Sequence, residues 1–170
     1  MSRIGRIARR TFLLGSVATA GGVAFGYWKY KQPYGNPLTD RLADGEASLT
    51  PYIKISADGI TIIKPRAEMG QGVHTTLAAM VAEELDVELD VVTIEHGPAS
   101  YAYYNAAVLE EAVPFLPTDH GMLAETMRGA TAIPAKFLAL QITGGSSTTP
   151  DGYEKMRKAG AAARTVLVQA

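Results

Sequence analysis

Residues 52–94, YIKISADGITIIKPRAEMGQGVHTTLAAMVAEELDVELDVVTI, decide the fold class. Tyr52-Ile53-Lys54-Ile55 and the β-branched run Ile60-Thr61-Ile62-Ile63 flank Asp58-Gly59, a pair suited to the left-handed positions of a hairpin turn. A loop with two glycines follows, Glu68-Met69-Gly70-Gln71-Gly72. A helix is expected to start near His74 to Thr76, because Leu77, Met80, Val81, Glu84 and Leu85 recur at helical spacing. Val91-Val92-Thr93-Ile94 then reads as a strand that ends at Gly97-Pro98. Hairpin, helix and further strand predict an α+β domain with helices packed on a mixed β-sheet.

Downstream, Ala99 to Thr118 holds Tyr101, Tyr103, Tyr104, Pro114 and Pro117 and reads as a long functional loop. Helices are expected at His120–Arg128 and Ile133–Ile142. A second glycine and hydroxyl loop follows, Thr143-Gly144-Gly145-Ser146-Ser147-Thr148-Thr149. Thr149 is placed to cap a last helix, with Pro150 at its first position and Asp151 in its first turn. That helix is expected to show Tyr153, Met156, Gly160, Ala163 and Leu167 on one face. The small residues 159–163 would admit another backbone. The sequence stops at Ala170 without a capping glycine, so the domain, residues 52–170, is expected to be truncated at its C-terminus.

Upstream, the chain begins differently. The first 31 residues carry six of the 16 basic residues and none of the 17 acids. The remainder therefore has ten bases against 17 acids, and an acidic body argues against a nucleic-acid partner. A basic start, an apolar run from Phe12 to Trp28 and small residues within it describe an export signal. Arg9-Arg10-Thr11-Phe12-Leu13 resembles the twin-arginine motif, although Ala8 and Leu14 depart from it. The alternative for residues 1–31 is a membrane anchor, since a run of seventeen residues from Phe12 to Trp28 lies at the lower limit of a span and Tyr27, Trp28 and Tyr30 suit an interface. Residues 32–51, with three prolines and two glycines, read as a linker. The whole chain lacks cysteine, which excludes a disulfide, a thiolate zinc site and an iron–sulfur cluster.

Both glycine loops precede helices, where backbone N–H groups and the helix dipole favour an anion. Gln71, Ser146, Ser147, Thr148 and Thr149 add neutral donors and acceptors. The combination suits a large polar ligand carrying phosphate; two ordinary turns with structural glycines are the plain alternative. Neither a Walker loop nor a dinucleotide fingerprint is present. His74, His96 and His120 lack metal-ligand spacing, the pairs Glu83-Glu84 and Glu110-Glu111 read as solvated charge, and no catalytic residue stands out.

The segment from Pro65 to Thr75, PRAEMGQGVHT, resembles the molybdopterin-binding segment of molybdenum hydroxylase large subunits, the xanthine dehydrogenase and aldehyde oxidase family. Gln141 to Thr148 with Asp151 to Arg164 resembles the serine-rich cofactor loop and the helix after it in the same family. The resemblance implies a partial molybdopterin-binding domain behind an N-terminal signal or anchor helix. Gly70, Gln71 and Gly72 would touch the pterin. Gly145, Ser146, Ser147 and Thr148 would bond the dithiolene and pyrophosphate region, Thr148 standing where serine is more usual. The implied cofactor is the molybdenum cofactor, in its cytosine dinucleotide form, held without a protein ligand to the metal. Implied partners are a small [2Fe–2S] subunit, a cytochrome c electron acceptor and the twin-arginine translocase, with a periplasmic location and a possible inner-membrane tether. The implied reaction is hydroxylation of aldehydes or N-heterocycles with water. The family's Phe-Gly-Gly loop and its late Gly-x-Gly-Glu, whose glutamate is the general base, are not in this sequence. The rival expectation is a non-catalytic, membrane-tethered periplasmic binding module or an inactive fragment.

Overall fold

The computed structural model describes residues 3–170, with side chains from Arg9 onward. Met1 and Ser2 of the expected export signal, and the side chains of Arg3, Arg6 and Ala8, lie outside the described residues. Two compact units divide the chain, Met1–Pro33 and Tyr34–Ala170.

The first unit is helix α1, Arg3–Lys31, with Lys29 and Lys31 in its last turn, where cations suit the dipole. Phe12, Leu14, Val17, Val23 and Trp28 are exposed along it. Among the described residues no helix is long and apolar enough to cross a membrane. The expectation of a spanning anchor therefore finds no support. Glycines and hydroxyls at Gly15, Ser16, Thr19, Gly21, Gly22 and Gly26 dilute a run that is already at the lower length limit.

The second unit carries a four-stranded sheet in the order β1 (Ala47–Thr50), β2 (Ile53–Ser56), β3 (Gly59–Lys64), β4 (Val92–His96). The first two pairings are antiparallel, and Ser56 faces Gly59 across a turn made by Ala57 and Asp58, one residue earlier than the Asp58-Gly59 pair expected, because Gly59 already pairs as the first residue of β3. The β3–β4 pairing is parallel, with Ile60 opposite Val92 and Ile62 opposite Ile94. Helix α2, Val73–Leu85, makes the crossover that a parallel pair requires. The sheet is thus mixed and the helices pack on it. The stretch expected to be a linker contributes more than a connection: Ala47–Thr50 is the sheet edge and Leu38 is buried in the core. Its prolines and glycines bound a strand of only four residues, too short for alternation to reveal.

Ile62 and Ile63 point to opposite faces of β3, yet both are buried, so this strand is covered on two sides. Val73, Leu77, Ala78, Val81, Ala82 and Leu85 form the buried face of α2. Helix α5, Thr148–Gln169, meets α2 through Gly152, Met156, Ala159, Gly160 and Ala163; Tyr153 and Leu167, expected on that face, are exposed. Between these elements lie the short helix α3, Ala107–Glu110, and α4, Met122–Phe137. Where two helices were expected over 120–142, one continues through Pro134 and ends near Ala139, whose φ is 52°. Pro134 lies in the last turn, so only one backbone hydrogen bond is lost before the helix stops.

Gly160 sets the α2–α5 distance. A Cβ there would lie 2.7 Å from Val81 O and 2.8 Å from Glu84 Cβ. Gly129, inside α4, has nothing within 4 Å of the same position. The two alanine substitutions are therefore expected to have opposite signs. Gly160→Ala should lower stability by about 1–3 kcal/mol through overpacking. Gly129→Ala should raise it by roughly 0.5–1 kcal/mol through helix propensity. Thermal or urea unfolding of both variants checks this; equal shifts would contradict the close approach.

Candidate functional site

β3 runs directly into Lys64, Pro65 and Arg66, all buried. Arg66 Nη2 donates to Asp151 Oδ2 at 2.7 Å, with both side chains 3% exposed. Arg66 Nη1 donates to the carbonyl of Tyr103 at 2.6 Å. The other Asp151 oxygen accepts from Ala106 N–H at 2.8 Å and from Lys155 Nζ at 2.7 Å. Lys155 also donates to Tyr104 O and lies 4.0 Å from the centre of that ring. Burial pushes the Lys155 ammonium below its ordinary pKa, and Asp151 opposes that shift. Lys64 Nζ donates to Arg66 O at 3.1 Å. Among the described residues Asp151 is the only buried carboxylate, and Arg66 Nε is the one buried side-chain nitrogen or oxygen without a partner. The ground beneath the loops is thus rich in positive charge.

The first loop holds itself closed. Gln71 Nε2 donates to Ala67 O at 2.8 Å, and Gln71 Oε1 accepts from Met69 N–H at 2.6 Å. Glu68 accepts from the N–H groups of Gly70, Gly72 and His74 at 2.7, 3.1 and 2.7 Å. These bonds, His74 first, hold its carboxyl below the usual carboxylate range, against a smaller desolvation penalty. Gly70 and Gly72 have φ of 96° and 77°, a region that glycine enters without penalty. This geometry points successive N–H groups at Glu68.

The second loop is bound to the first by Ala67 N–H donating to Thr143 Oγ1 at 2.9 Å. Gly145 and Ser146 take positive φ of 56° and 52°. Ser147 is 1% exposed; its hydroxyl donates to Gly144 O at 2.6 Å and accepts from Asn105 Nδ2 at 2.8 Å. Through these two bonds the hydroxyl braces the loop from beneath. Helix α5 begins at Thr148, with Ser147 in the cap position and no side-chain cap, so Thr149 is not the N-cap and Pro150 is the third helical residue.

Met69, Gln71, Val73, Thr143, Gly144, Ser146, Thr148 and Thr149 line one cavity of about 490 Å³. The structure therefore brings Gln71, Ser146 and Thr148 together, places Gly70, Gly72 and Gly145 in the loop backbones, and withdraws Ser147. On the other side of Ser146 and Ser147 lies a cavity of about 680 Å³ whose lining includes Glu110, Glu111, His120 and Arg128. Burial pushes the Glu110 carboxyl up, with Asp151 adding to the shift. The sequence assigns no role to Glu68, Arg66 or Asn105, and it places Asp151 only in the first turn of the last helix and Thr143 only in the second loop. Glu68 alone had a local signal, an acid two and four residues before the glycines of a helix-opening loop. The other partners lie tens of residues apart, without local pattern.

Removing one member of a buried ion pair strands the other, at a cost of about 3–5 kcal/mol. Asp151→Ala should therefore approach the loss of the fold, whereas breaking the exposed pair of Arg164 with Asp86 at 2.8 Å should change stability by no more than about 1 kcal/mol. Glu68 gives a pH signature. Its folded pKa is depressed, so its contribution is complete above the ordinary carboxylate value near ~4.3 and is lost as pH falls through the lower folded value. An NMR titration of the Glu68 carboxyl should show a midpoint below that of a free glutamate; an ordinary midpoint would remove the three-fold cap.

Residues 15–107 match the molybdopterin cofactor-binding domain family, a span that contains the whole first loop. The chain is 32% identical to the isoquinoline 1-oxidoreductase subunit beta of Brevundimonas diminuta over 167 residues, 96% of this chain and 17% of the relative. It is 29% identical to a membrane-bound aldehyde dehydrogenase of Gluconacetobacter polyoxogenes, named with pyrroloquinoline quinone, over 166 residues with the same coverage. The chain thus spans about a sixth of the length of these curated relatives, and both alignments are long enough to reach the second loop. No solved structure matches. The family match spans more than half of the chain, which therefore belongs to the molybdopterin cofactor-binding domain family.

Proposed function

We propose that the cavity between the two loops receives the pterin and pyrophosphate portion of the molybdenum cofactor, in its cytosine dinucleotide form. The single observation that carries this reading is the joining of loops 76 residues apart, through Ala67 and Thr143, around one cavity of about 490 Å³. The donor set fits such a group. Gln71, Thr143, Ser146, Thr148 and Thr149 offer neutral donors and acceptors for a heterocycle edge and for phosphate oxygens. The first turn of α5 adds backbone N–H groups and the positive end of its dipole. Lys64, Arg66 and Lys155 beneath the loops favour an anion. At α2 the Glu68 carboxylate already behaves as an anion bound by helix-terminal N–H groups.

When bound, the cofactor supplies two-electron oxidation with water as the oxygen source, and the substrate class we propose for the whole protein is aldehydes or N-heterocycles. This chain's residues bind and orient. Gln71 closes the first loop into a shaped edge, Thr148 and Thr149 present the α5 terminus, and Ser147 with Asn105 fixes the second loop from below. This chain holds no cysteine to ligate an iron–sulfur cluster, and we assign the onward transfer of electrons to a small [2Fe–2S] subunit and, beyond it, a cytochrome c. Export through the twin-arginine route to the periplasm rests on Arg9-Arg10 ahead of Thr11-Phe12-Leu13.

The test is retention. The 170-residue chain is incubated with molybdopterin cytosine dinucleotide, separated by gel filtration, and assayed for molybdenum and for cytidine monophosphate released by hydrolysis. Both should co-elute with the protein. Gln71→Ala and Ser146→Ala should each weaken retention by about one to two decades, the value of roughly 1.5–3 kcal/mol per hydrogen bond to a charged group. Ser147→Ala should lower the melting temperature instead, because its hydroxyl is buried against Asn105. Wild-type retention by the first two variants, or preferential retention of pyrroloquinoline quinone, would overturn the assignment.

A further inference from the structure

The two helix termini that face the cavity are not equivalent. At α2 no acid occupies the first turn and Gly72 provides no side-chain cap, yet Glu68 reaches in from the preceding loop and takes three N–H groups. At α5 no side chain caps the helix, and Asp151, the acid in its first turn, is turned inward with both oxygens engaged by Arg66, Lys155 and Ala106. Thr148 and Thr149, which open α5, line the cavity. A second, independent observation lies beneath that turn. Arg66 is 3% exposed, its Nε has no acceptor, and it lines a small internal void together with Thr148 and Asp151.

We propose that Glu68 is a built-in counter-anion: it closes the α2 terminus to anionic ligand groups and so directs a phosphate to the α5 terminus, fixing which way round the ligand lies. This rests on the reading of the cavity as a phosphate-bearing cofactor site. Glu68 is a positioning residue, since it acts by holding Gly70, Gly72 and His74 and by excluding charge. The like-charge argument is simple. Two anions on the same three N–H groups would repel at contact distance, whereas at α5 the one first-turn acid, Asp151, is already paired with Arg66 and Lys155. A merely structural staple would need acceptor oxygens, one for Gly70 and Gly72 at Oε1 and one for His74 at Oε2; the exclusion needs the negative charge.

Glu68→Gln separates these, because the amide keeps the shape and one acceptor oxygen without the charge. The probe is inorganic pyrophosphate, titrated into the full 170-residue chain and followed through backbone amide shifts. In the wild type, shifts are expected at Ser146, Thr148 and Thr149 and not at Gly70, Gly72 or His74. In Glu68→Gln a second set should appear at Gly72 and His74, with affinity at α5 changed by less than about threefold, under ~0.7 kcal/mol. Glu68→Ala should open the same second set, which guards against a Gln variant that rearranges the loop. Wild-type shifts at Gly72 and His74, or no new shifts there in either folded variant, would overturn the role of Glu68. Pyrophosphate at α2 in the variants but at α5 in none would leave that role standing and overturn the phosphate assignment at α5. Shifts at neither helix in any form would overturn both.

Discussion

The buried ion pair of Arg66 with Asp151 is the constraint on which the arrangement of the site depends. It ties the end of β3 to the first turn of α5 across 85 residues of sequence. The same two side chains reach Tyr103 O and Ala106 N–H, so the irregular stretch between β4 and α4 is fixed by the same centre. Burying two charges is costly unless their remaining bonds are satisfied, and here only Arg66 Nε is left over. At the other end of the contact, Gly160 lets α5 lie against the backbone of α2. Helix α5 is therefore held at its start by charge and in its middle by shape. The loops that lead into α2 and α5 can face each other only because both constraints hold.

From that geometry the site follows. Each loop is largely satisfied within itself: Gln71 bridges Ala67 and Met69, while Ser147 bridges Gly144 and Asn105. Such loops are shaped before a ligand arrives, so less ordering has to accompany binding. What lines the cavity is uncharged, an amide and hydroxyls beside the apolar Met69 and Val73, with positive charge behind it. That division suits a ligand with a broad heterocycle and a phosphate. It is poorly suited to acid–base chemistry by the loops themselves, since no titratable side chain lines the cavity between them.

Much of the fold was legible where period and turn chemistry agree. The helix carrying Leu77, Val81 and Leu85 and the strand at Val92–Ile94 appear as expected, and so does the hairpin, with its turn one residue earlier at Ala57-Asp58. The edge strand Ala47–Thr50 was hidden because four residues between turn formers carry no readable alternation. The single helix through Pro134 was misread because a proline in a last turn removes only one bond. The loops were recognisable from their glycines and hydroxyls, but composition cannot say which hydroxyl faces out. Ser146, Ser147 and Thr148 look alike in sequence, and only the partner Asn105, 42 residues away, shows that Ser147 faces in. The capping role of Glu68 and the Arg66–Asp151 pair are likewise facts of three dimensions.

The central claim is that residues 68–74 and 144–149 form one binding site rather than two independent turns. Amide hydrogen exchange of the full chain, with and without molybdopterin cytosine dinucleotide, tests it most directly. The account predicts that the cofactor slows exchange in both segments together, with the same concentration dependence. Slowing in one segment alone, or in neither at concentrations where the cofactor co-elutes with the protein, would contradict it.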